Sequence, residues 1–390
     1  MKIAVIGHVR FPIARPFMGG MEAHCWHLCR GLRTRGHDVT LFAAGDSDWG
    51  GKVEPVVDVH YDREFPWHKW HGTPELTGHL DAAFERILPR LFEGGFDVVH
   101  NNSLHRFPPR FAARHRIPMV TSLHVPPFEV LKRAVADGGA PWSLFTTCSQ
   151  RQLGAWFDDG DAPFARVVPN GIDLSDWPFR PEGDGTAVWM GRITPTKGTH
   201  LAAQAAKIAG IPLRIYGTIE DQGYYDTEIA PLLSDGVKYG GHLQGADLTE
   251  AIARASVLLF TPLWDEPFGL AAIEAMACGL PIAAVENGAI REVAGDVARY
   301  AGADAGELAE ALREAVDISR TAARKRVERL FTLSQMLEEY VGLYARAIDA
   351  VGEGFEMPDF EAFQLPPAPN LTPAPDNFAS PEAECCRYHL

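Results

Sequence analysis

The chain has 390 residues, of which 46% are hydrophobic and 22% charged, a composition typical of globular proteins with two or three domains. Its formal net charge of −15 argues against a nucleic-acid partner, because contacts with phosphate backbones need a basic surface. It contains no run of about eighteen apolar residues, so we expect no membrane span, and its first apolar run is too short for a signal peptide.

Six cysteines are too few for a disulfide framework in a chain of this length, so we expect a reducing compartment and a cytoplasmic protein. The stretch "HCWHLC" (residues 24–29) places Cys25 and Cys29 one helical turn apart, with two histidines nearby. We interpret it as the apolar face of a helix, because no second ligand pair has the spacing that would complete a metal site. The sequence therefore predicts no metal and no cofactor.

In the first part of the chain, short apolar runs rich in β-forming residues alternate with helical stretches. The runs that predict buried strands are 2–7, 38–44, 97–100, 118–125 and 143–149. Residues 21–36 predict a helix with arginines in its last turn and Gly36 as its C-cap. This alternation predicts a parallel sheet covered by helices on both faces.

The same alternation restarts after a turn-rich junction at 167–185. Further strands are predicted at 186–191, 212–217, 236–241, 256–263 and 281–285, with helices at 199–210 and 247–256. The stretch 333–351 predicts a long amphipathic helix, and the acidic, proline-rich residues that follow it predict an irregular tail. The chain thus contains two α/β domains in tandem, for which we expect a cleft between the domains.

Unusual motifs follow several of the predicted strands. Open parallel sheets bind ligands beyond the carboxyl ends of their strands, so motifs at these positions are candidate binding elements. Five such positions are "MGG" (18–20), His124, "GRITPTKG" (191–198), "EPFG" (266–269) and "ENG" (286–288).

Two of these motifs are suited to anions. Gly19 and Gly20 let the backbone approach a ligand at the start of a helix, although a plain loop glycine pair is an equally good interpretation. Arg192 and Lys197 follow a strand and can neutralise a diphosphate through charge-assisted hydrogen bonds, unless they are a solvated pair on a loop. A P-loop is excluded, because the residue before Lys197 is Thr196 rather than glycine.

The most specific stretch is "EPFGLAAIEAMACG" (266–279). Phe268, Gly269 and Leu270 predict a tight turn into a helix, whose free N–H groups can face a phosphate or a sugar oxygen. Glu266 precedes that helix and can accept from a sugar hydroxyl, while Glu274 lies on it and can accept from vicinal ribose hydroxyls. The alternatives are a turn residue for Glu266 and a surface charge for Glu274. A lone histidine such as His124 is more often a satisfied core residue, but its place at a strand end favours a ligand contact.

Taken together, these motifs resemble the family 4 retaining glycosyltransferases over residues 1–350. The resemblance implies the GT-B fold, in which two Rossmann-like doubly wound domains face each other across a cleft and the last helix crosses back to the first domain. The implied segments are an acceptor domain at 1–166, a nucleotide-sugar donor domain at 167–332, a cross-over helix at 333–351 that packs on the first domain, and a tail at 352–390 that has no counterpart in the family.

The resemblance also implies roles for the candidate residues. His124, Arg192, Lys197 and Glu266 are the implied catalytic set: His124 and Glu266 contact the transferred sugar, and the two cations hold the diphosphate. The implied donor-binding residues are Gly19, Gly20, Phe268, Gly269, Leu270 and Glu274. The N-terminal loop "HVRFPIARPFMGG" (8–20) is long for the family, so the acceptor side cannot be carried over.

The implied activity is transfer of a hexose, with retention and without a metal, from a nucleoside diphosphate sugar to a hydroxyl acceptor. UDP-glucose is the first expectation for the donor and GDP-mannose the second; a glycolipid, a saccharide or a small molecule are the acceptor classes. A nucleotide-sugar epimerase on the same fold and a non-catalytic nucleotide-sugar-binding module are the alternatives. Peripheral contact with the inner face of the membrane is a further hypothesis, because "RFPPRFAARHR" (106–116) interleaves phenylalanines with arginines; a solvated helix face is the simpler interpretation.

Overall fold

The computed structural model describes residues 1–157 and 162–352, and these residues form two α/β units. Among the described residues, the first unit contains Met1–Cys148, those within 153–168 and those within 337–352, and the second contains Ser149–Gln152 and Pro169–Met336. The irregular tail predicted for 352–390 lies outside the described residues, apart from its first residue.

A sheet of seven parallel strands forms the centre of the first unit, in the order β3-β2-β1-β4-β5-β6-β7. Its strands are β1 (Lys2–Ile6), β2 (Asp38–Ala44), β3 (Lys52–Val57), β4 (Val98–Asn101), β5 (Met119–Leu123), β6 (Ser143–Thr147) and β7 (Ala165–Val167). The five strands predicted from apolar runs are confirmed, because strands covered on both faces need apolar side chains throughout. The two edge strands, β3 and β7, were not predicted: β3 carries Pro55, which sheets tolerate at an edge, and β7 has only three residues.

Helices cover this sheet. They are α1 (Gly20–Thr34), α2 (Trp67–Trp70), α3 (Pro74–Glu93), α4 (Phe107–His115), α5 (Glu129–Gly138) and α6 (Gln150–Trp156). The predicted C-cap of α1 is wrong by one residue: the cap is Arg35, and Gly36 follows it with a φ of +84°, a conformation that glycine adopts at little cost. Cys25 and Cys29 are buried free thiols on α1, as expected for an apolar face.

Helix α4 contains the phenylalanines of the segment 106–116. Phe107 and Phe111 are buried in the core of the first unit, and the Arg106 guanidinium pairs with the carboxylate of Asp81. The aromatic side chains of this segment therefore pack inside the protein and are not available to a lipid surface. Among the described helices, none has the length and apolarity needed to cross a bilayer.

The second unit is built on a sheet of six parallel strands in the order β10-β9-β8-β11-β12-β13. The strands are β8 (Ala187–Met190), β9 (Leu213–Tyr216), β10 (Val237–Tyr239), β11 (Val257–Phe260), β12 (Ile282–Val285) and β13 (Ala298–Ala301). The helices are α7 (Thr199–Ala209), α8 (Gln222–Tyr224), α9 (Gly245–Arg254), α10 (Leu270–Ala277), α11 (Ile290–Ala294), α12 (Ala305–Ala315) and α13 (Arg320–Leu330). All five strands predicted for this part of the chain are present, so the second doubly wound domain is confirmed.

The first residue of α13 caps two other helices of the second unit. The Arg320 guanidinium donates to the carbonyl oxygens of Ala253 (3.0 Å) and Ala255 (2.7 Å) at the end of α9, and to that of Cys278 (3.2 Å) after α10. Its Nε donates to the carbonyl of Arg180 at 2.8 Å. Carbonyls at helix ends have no partner within the helix, so one cation satisfies the C-termini of two helices.

Replacing Arg320 with alanine should lower the free energy of unfolding by about 2–3 kcal/mol, because partly buried carbonyls lose charged donors. Thermal unfolding followed by circular dichroism measures the effect. Lys325→Ala is the matched control, since Lys325 lies exposed on the same helix. Equal melting temperatures for the two variants would show that the cap is unimportant.

The last described helix is α14 (Leu333–Asp349). The His100 ring of β4 contacts the Tyr344 hydroxyl at 2.5 Å through Nδ1 and the Ser122 hydroxyl of β5 at 3.0 Å through Nε2. Ser122 also lies 3.2 Å from the Tyr340 hydroxyl, and all four side chains are buried. Because a buried polar group without a partner is costly, this network sets the position of α14 on the first unit. The expected return of the last helix to the first domain is confirmed.

The order of strands in each sheet determines where a ligand can bind. In the first sheet the direction in which successive strands are added reverses between β1 and β4, and in the second it reverses between β8 and β11. Loops that leave adjacent strands in opposite directions open a crevice at the carboxyl edge of the sheet. Of the two most specific sequence motifs, "GRITPTKG" follows β8 directly and "EPFG" lies in the loop after β11.

Candidate functional site

The loops after β8 and β11 are joined by hydrogen bonds at the carboxyl edge of the second sheet. The Thr261 hydroxyl lies 2.9 Å from the carbonyl oxygen of Lys197 and 3.0 Å from that of Gly198, and it can donate to either. The amide of Leu263 donates to the carbonyl of Thr196 at 2.7 Å. The two motifs, about seventy residues apart in sequence, therefore form one structural element.

Lys197, Glu266 and Trp264 form a cluster within these loops. The Lys197 ammonium donates to Oε2 of Glu266 at 2.5 Å, and the Trp264 indole N–H donates to the same oxygen at 2.9 Å. The ammonium also lies 5.0 Å from the centre of the Trp264 ring. The Lys197 and Glu266 side chains are 22% and 12% exposed, so the pair is largely shielded from water but still accessible to a ligand. Its charges are therefore held in a fixed position where water is largely excluded.

The loop after β12, which carries the "ENG" motif, packs against the backbone of Glu266. The amide of Ala289 donates to the Glu266 carbonyl at 2.9 Å. Gly288 has a φ of +64°, and a Cβ at this position would lie 2.2 Å from the same carbonyl oxygen. A glycine is therefore required for this close approach of two backbones.

Arg192 does not join the Lys197 cluster. Its Nη1 donates to both carboxylate oxygens of Glu220, at 3.1 and 2.8 Å, and Glu220 lies in the loop after β9. The two side chains are 32% and 34% exposed. Each cation predicted to bind a diphosphate is thus paired with its own carboxylate in the second unit.

Gly269 forms the predicted turn at the start of α10. It has a φ of +93°, and a Cβ would lie 2.7 Å from the Phe260 ring, so larger residues are excluded. No side chain caps α10 at this position, which leaves the first N–H groups from Leu270 onward to other acceptors. The Phe268 side chain packs inward, with its ring centroid 5.6 Å from that of Phe331, so only its backbone is available to a ligand.

Glu274 lies on α10, as predicted, and is partly exposed. Loss of hydration raises its pKa from an ordinary 4.5 to about 7. Among the described residues, no side chain or backbone amide donates a hydrogen bond to its carboxylate. A carboxylate with poor hydration and no protein donor is well suited to accept from the hydroxyls of a ligand.

Gly19 and Gly20 lie in the first unit, at the N-terminus of α1. Gly19 has an extended backbone with a φ of −162°, and no side chain caps the helix there. Glu22 is buried in the first turn, and a Cβ on Gly19 would lie 3.0 Å from its Oε2. A negative side chain is favourable at a helix N-terminus, so this end of α1 already holds an acidic group.

His124 follows β5 in the first unit and is partly exposed. Its Nε2 lies 2.7 Å from Oδ1 of Asn102, and its ring contacts that of His24 edge-on, with centroids 4.4 Å apart. Burial lowers the pKa of His124 to about 4, so the ring is neutral at physiological pH. If Nε2–H donates to Asn102, then Nδ1 is an acceptor that can face a ligand.

Replacing Asn102 with aspartate should raise the pKa of His124 by at least about one unit, because a carboxylate at this distance stabilises the imidazolium. The other titratable groups near the ring, His24 and His100, are themselves histidines, and neither supplies a negative charge. Titration of the His124 ring followed by NMR measures the shift, with the wild-type protein as the reference. An unchanged pKa would mean that Asn102 does not contact the ring in solution.

Three residues of these sites were not found by the sequence analysis: Trp264, Glu220 and Asn102. Each follows a strand, so the rule that selected the other candidates also applied to them. Asn102 comes directly after β4, and Glu220 comes after β9 in a loop without an unusual motif. Only the spatial contacts with His124, Arg192 and Glu266 distinguish them from ordinary loop residues.

Comparison with protein-family models identifies two matches that together span most of the chain. Residues 18–176 match the model described as Glycosyltransferase Family 4, and residues 175–329 match the model described as Glycosyl transferases group 1. The second match contains all the candidate residues of the second unit, from Arg192 to Glu274. The first contains Gly19, Gly20 and His124.

Individual relatives agree with these models. The D-inositol 3-phosphate glycosyltransferase of Mycolicibacterium smegmatis is 24% identical, over 89% of this chain and 91% of its own. The glycogen synthase of Mycobacterium tuberculosis is 27% identical, over 83% of this chain and 88% of its own. The crystal structure of Anabaena HepE in complex with UDP and glucose has a TM-score of 0.68 and 19% identity, over 88% of this chain and 99% of its own. The chain belongs to glycosyltransferase family 4, and its fold is GT-B.

Proposed function

We propose that this protein transfers a hexose from a nucleoside diphosphate sugar to a hydroxyl acceptor, with retention at the anomeric carbon and without a metal. The proposal is carried by the second unit, where the Lys197–Glu266 pair lies between the loops after β8 and β11. Beside it, α10 contributes an uncapped N-terminus at Gly269 and the unpaired carboxylate of Glu274. The cations and the amide hydrogens match the diphosphate of such a donor, and the carboxylates match the hydroxyls of its sugar and its ribose.

The proposed mechanism is a displacement on one face of the sugar. The bond between the anomeric carbon and the β-phosphate oxygen breaks, and a bond to the acceptor oxygen forms on the same face. The acceptor proton passes to the departing phosphate oxygen. Arg192, Lys197 and the amides at the start of α10 stabilise the charge that develops on the diphosphate, a contribution that is often the largest in catalysis. These cations supply the positive charge that a divalent ion supplies in other transferases, so turnover should persist in excess chelator.

Glu266 and His124 are proposed to contact the transferred sugar. Oε2 of Glu266 is occupied by Lys197 and Trp264, which leaves Oε1 to accept from a sugar hydroxyl. His124 offers a neutral ring nitrogen as a hydrogen-bond acceptor. The acidic first turn of α1 favours a hydroxyl-bearing acceptor near Gly19 and Gly20 over the donor phosphates, since Glu22 would repel phosphate.

We propose UDP-glucose as the donor first and GDP-mannose second, with a glycolipid, a saccharide or a small molecule as acceptor. The relatives named for transfer to inositol phosphate and for glycogen synthesis, and the neighbour solved with UDP and glucose, support these classes. A cytoplasmic location is also proposed, supported by the free thiols of the described cysteines, whereas the buried phenylalanines of α4 leave membrane contact without support.

A donor panel tests the proposed function. The full chain is incubated with UDP-glucose, GDP-mannose and other nucleoside diphosphate sugars in the presence of cell extract, and release of the free nucleoside diphosphate is measured. Mass spectrometry identifies the glycosylated product, and NMR of its anomeric proton determines the configuration. An epimerase would convert donor without acceptor, and a binding module would release nothing; either result would overturn the proposal.

A further inference from the structure

The pairing of Arg192 with Glu220 is set by the backbone as well as by the side chains. The amide of Ile193 donates to the Thr218 carbonyl at 2.8 Å, and the amide of Asp221 donates to the Ile193 carbonyl at 3.2 Å. These two bonds flank the ion pair and join the loop after β8 to the loop after β9. Glu220 is therefore held opposite Arg192 before any ligand arrives.

The two loops approach so closely that one position must be glycine. A Cβ on Gly217 would lie 1.7 Å from the carbonyl oxygen of Gly191, and Gly217 has a φ of +146°. Gly191 itself has a φ of +157°. The conformation that places Glu220 against Arg192 is thus specified at the level of the backbone.

As an isolated ion pair, Arg192–Glu220 contributes little to stability, because both side chains are about one-third exposed and water screens their attraction. The position of the ion pair is important for ligand binding rather than for stability. Arg192 lies at the strand reversal of the second sheet, where the proposed function places the diphosphate. An anion bound to Arg192 must compete with Glu220 for the guanidinium, and it lies close to a second negative charge.

We propose that Glu220 is a specificity-determining residue that limits the affinity of the site for diphosphate. This inference rests on the proposed function and assigns a residue of the same site. By holding Arg192 when the site is empty and repelling the product after transfer, Glu220 opposes retention of the free nucleoside diphosphate. An intact sugar donor carries less charge on its diphosphate than the free product does, so the residue favours donor over product.

Replacing Glu220 with glutamine removes the charge and keeps the shape. Calorimetry on the full chain with inorganic pyrophosphate, UDP and GDP should show affinities roughly three- to tenfold higher than in the wild type, since one repulsive charge is removed a few ångströms from the anion. The affinity for uridine and guanosine should be unchanged, because nucleosides carry no phosphate. The gain should shrink at high salt, where charges are screened.

Glu228→Gln is the matched control, because Glu228 is an exposed glutamate of the same unit and the change in net charge is the same. Equal or weaker pyrophosphate binding by Glu220→Gln, or an equal gain in the control, would overturn the proposal, as would absence of pyrophosphate binding to both proteins. Pyrophosphate binding without any nucleoside diphosphate or sugar-nucleotide binding would instead contradict the proposed function and leave the role of Glu220 in anion binding intact. Melting temperatures of all three proteins verify folding.

Discussion

Replacing Lys197 with alanine should lower kcat/KM for the sugar donor at least about tenfold, with most of the loss in kcat. The ammonium is fixed by Glu266 at 2.5 Å and by the Trp264 ring, so it needs no reorganisation when charge develops on the diphosphate. Its removal also leaves the Glu266 carboxylate without its counter-charge, which adds repulsion toward the leaving group. Arg192→Ala should cause a loss of at least the same order, because it removes the other cation.

Nucleoside diphosphate release measured at several donor concentrations separates kcat from KM. Lys207→Ala is the control, since Lys207 is exposed on α7, the helix that follows the Lys197 loop. Glu266→Gln combined with Lys197→Ala removes both charges, so the double variant distinguishes the loss of the cation from the effect of an uncompensated carboxylate. Wild-type kinetics in Lys197→Ala would exclude the lysine from the mechanism.

Replacing Glu274 with glutamine should weaken nucleoside diphosphate binding at least about tenfold and at the same time stabilise the protein above pH 7. The loss of affinity is expected because the amide retains only one strong acceptor for the two ribose hydroxyls. In the wild type, affinity should fall as the pH decreases through about 7, where the carboxylate takes up a proton. In the variant this pH dependence should be absent.

The gain in stability follows from the direction of the pKa shift. The folded-state pKa of Glu274, about 7, lies above its ordinary value of 4.5, so folding disfavours the ionised form. The penalty grows as the pH rises from 4.5 to about 7 and is fully present above that range. It amounts to at most about 3.5 kcal/mol, since one pKa unit corresponds to about 1.4 kcal/mol. Glutamine carries no such penalty.

Thermal unfolding at pH 5 and pH 8, together with calorimetric binding of UDP and GDP at the same pH values, measures both effects. Glu310→Gln serves as control, because Glu310 lies exposed on α12, its side chain 68% accessible. A variant that binds like the wild type, or that is destabilised at pH 8, would show that Glu274 is a structural residue and not a ligand-binding one.

Helix α4 illustrates a pattern that the sequence leaves ambiguous. Phenylalanines interleaved with arginines are compatible with a helix on a membrane and with one that packs against a core, because both bury one face. The structure shows that this helix packs against the core, because Phe107 and Phe111 are buried. The guanidinium groups of Arg106 and Arg110 pair with Asp81 and Asp137. The partners come from other parts of the chain, so no local pattern could reveal them.

The edge strand β3 shows another limit. In its sequence "KVEPVV" only the last two residues are buried and the fourth is a proline, whereas the predicted strands are continuous apolar runs. A strand at the edge of a sheet has a partner on one side only, so its composition is closer to that of a loop. Central strands were predictable because burial on both faces admits few residue types.

The sequence by itself determined the two doubly wound domains, the glycine turn before α10, and the positions of Arg192, Lys197, Glu266 and Glu274 beside the strand ends. Apolar periodicity and glycine placement are local properties, and they are therefore readable from the chain. Only the tertiary structure decided which side chains meet: Lys197 with Glu266 and Trp264, Arg192 with Glu220, and His124 with Asn102. Such contacts depend on the order of strands in a sheet, which brings distant loops to one edge and leaves no mark in the local sequence.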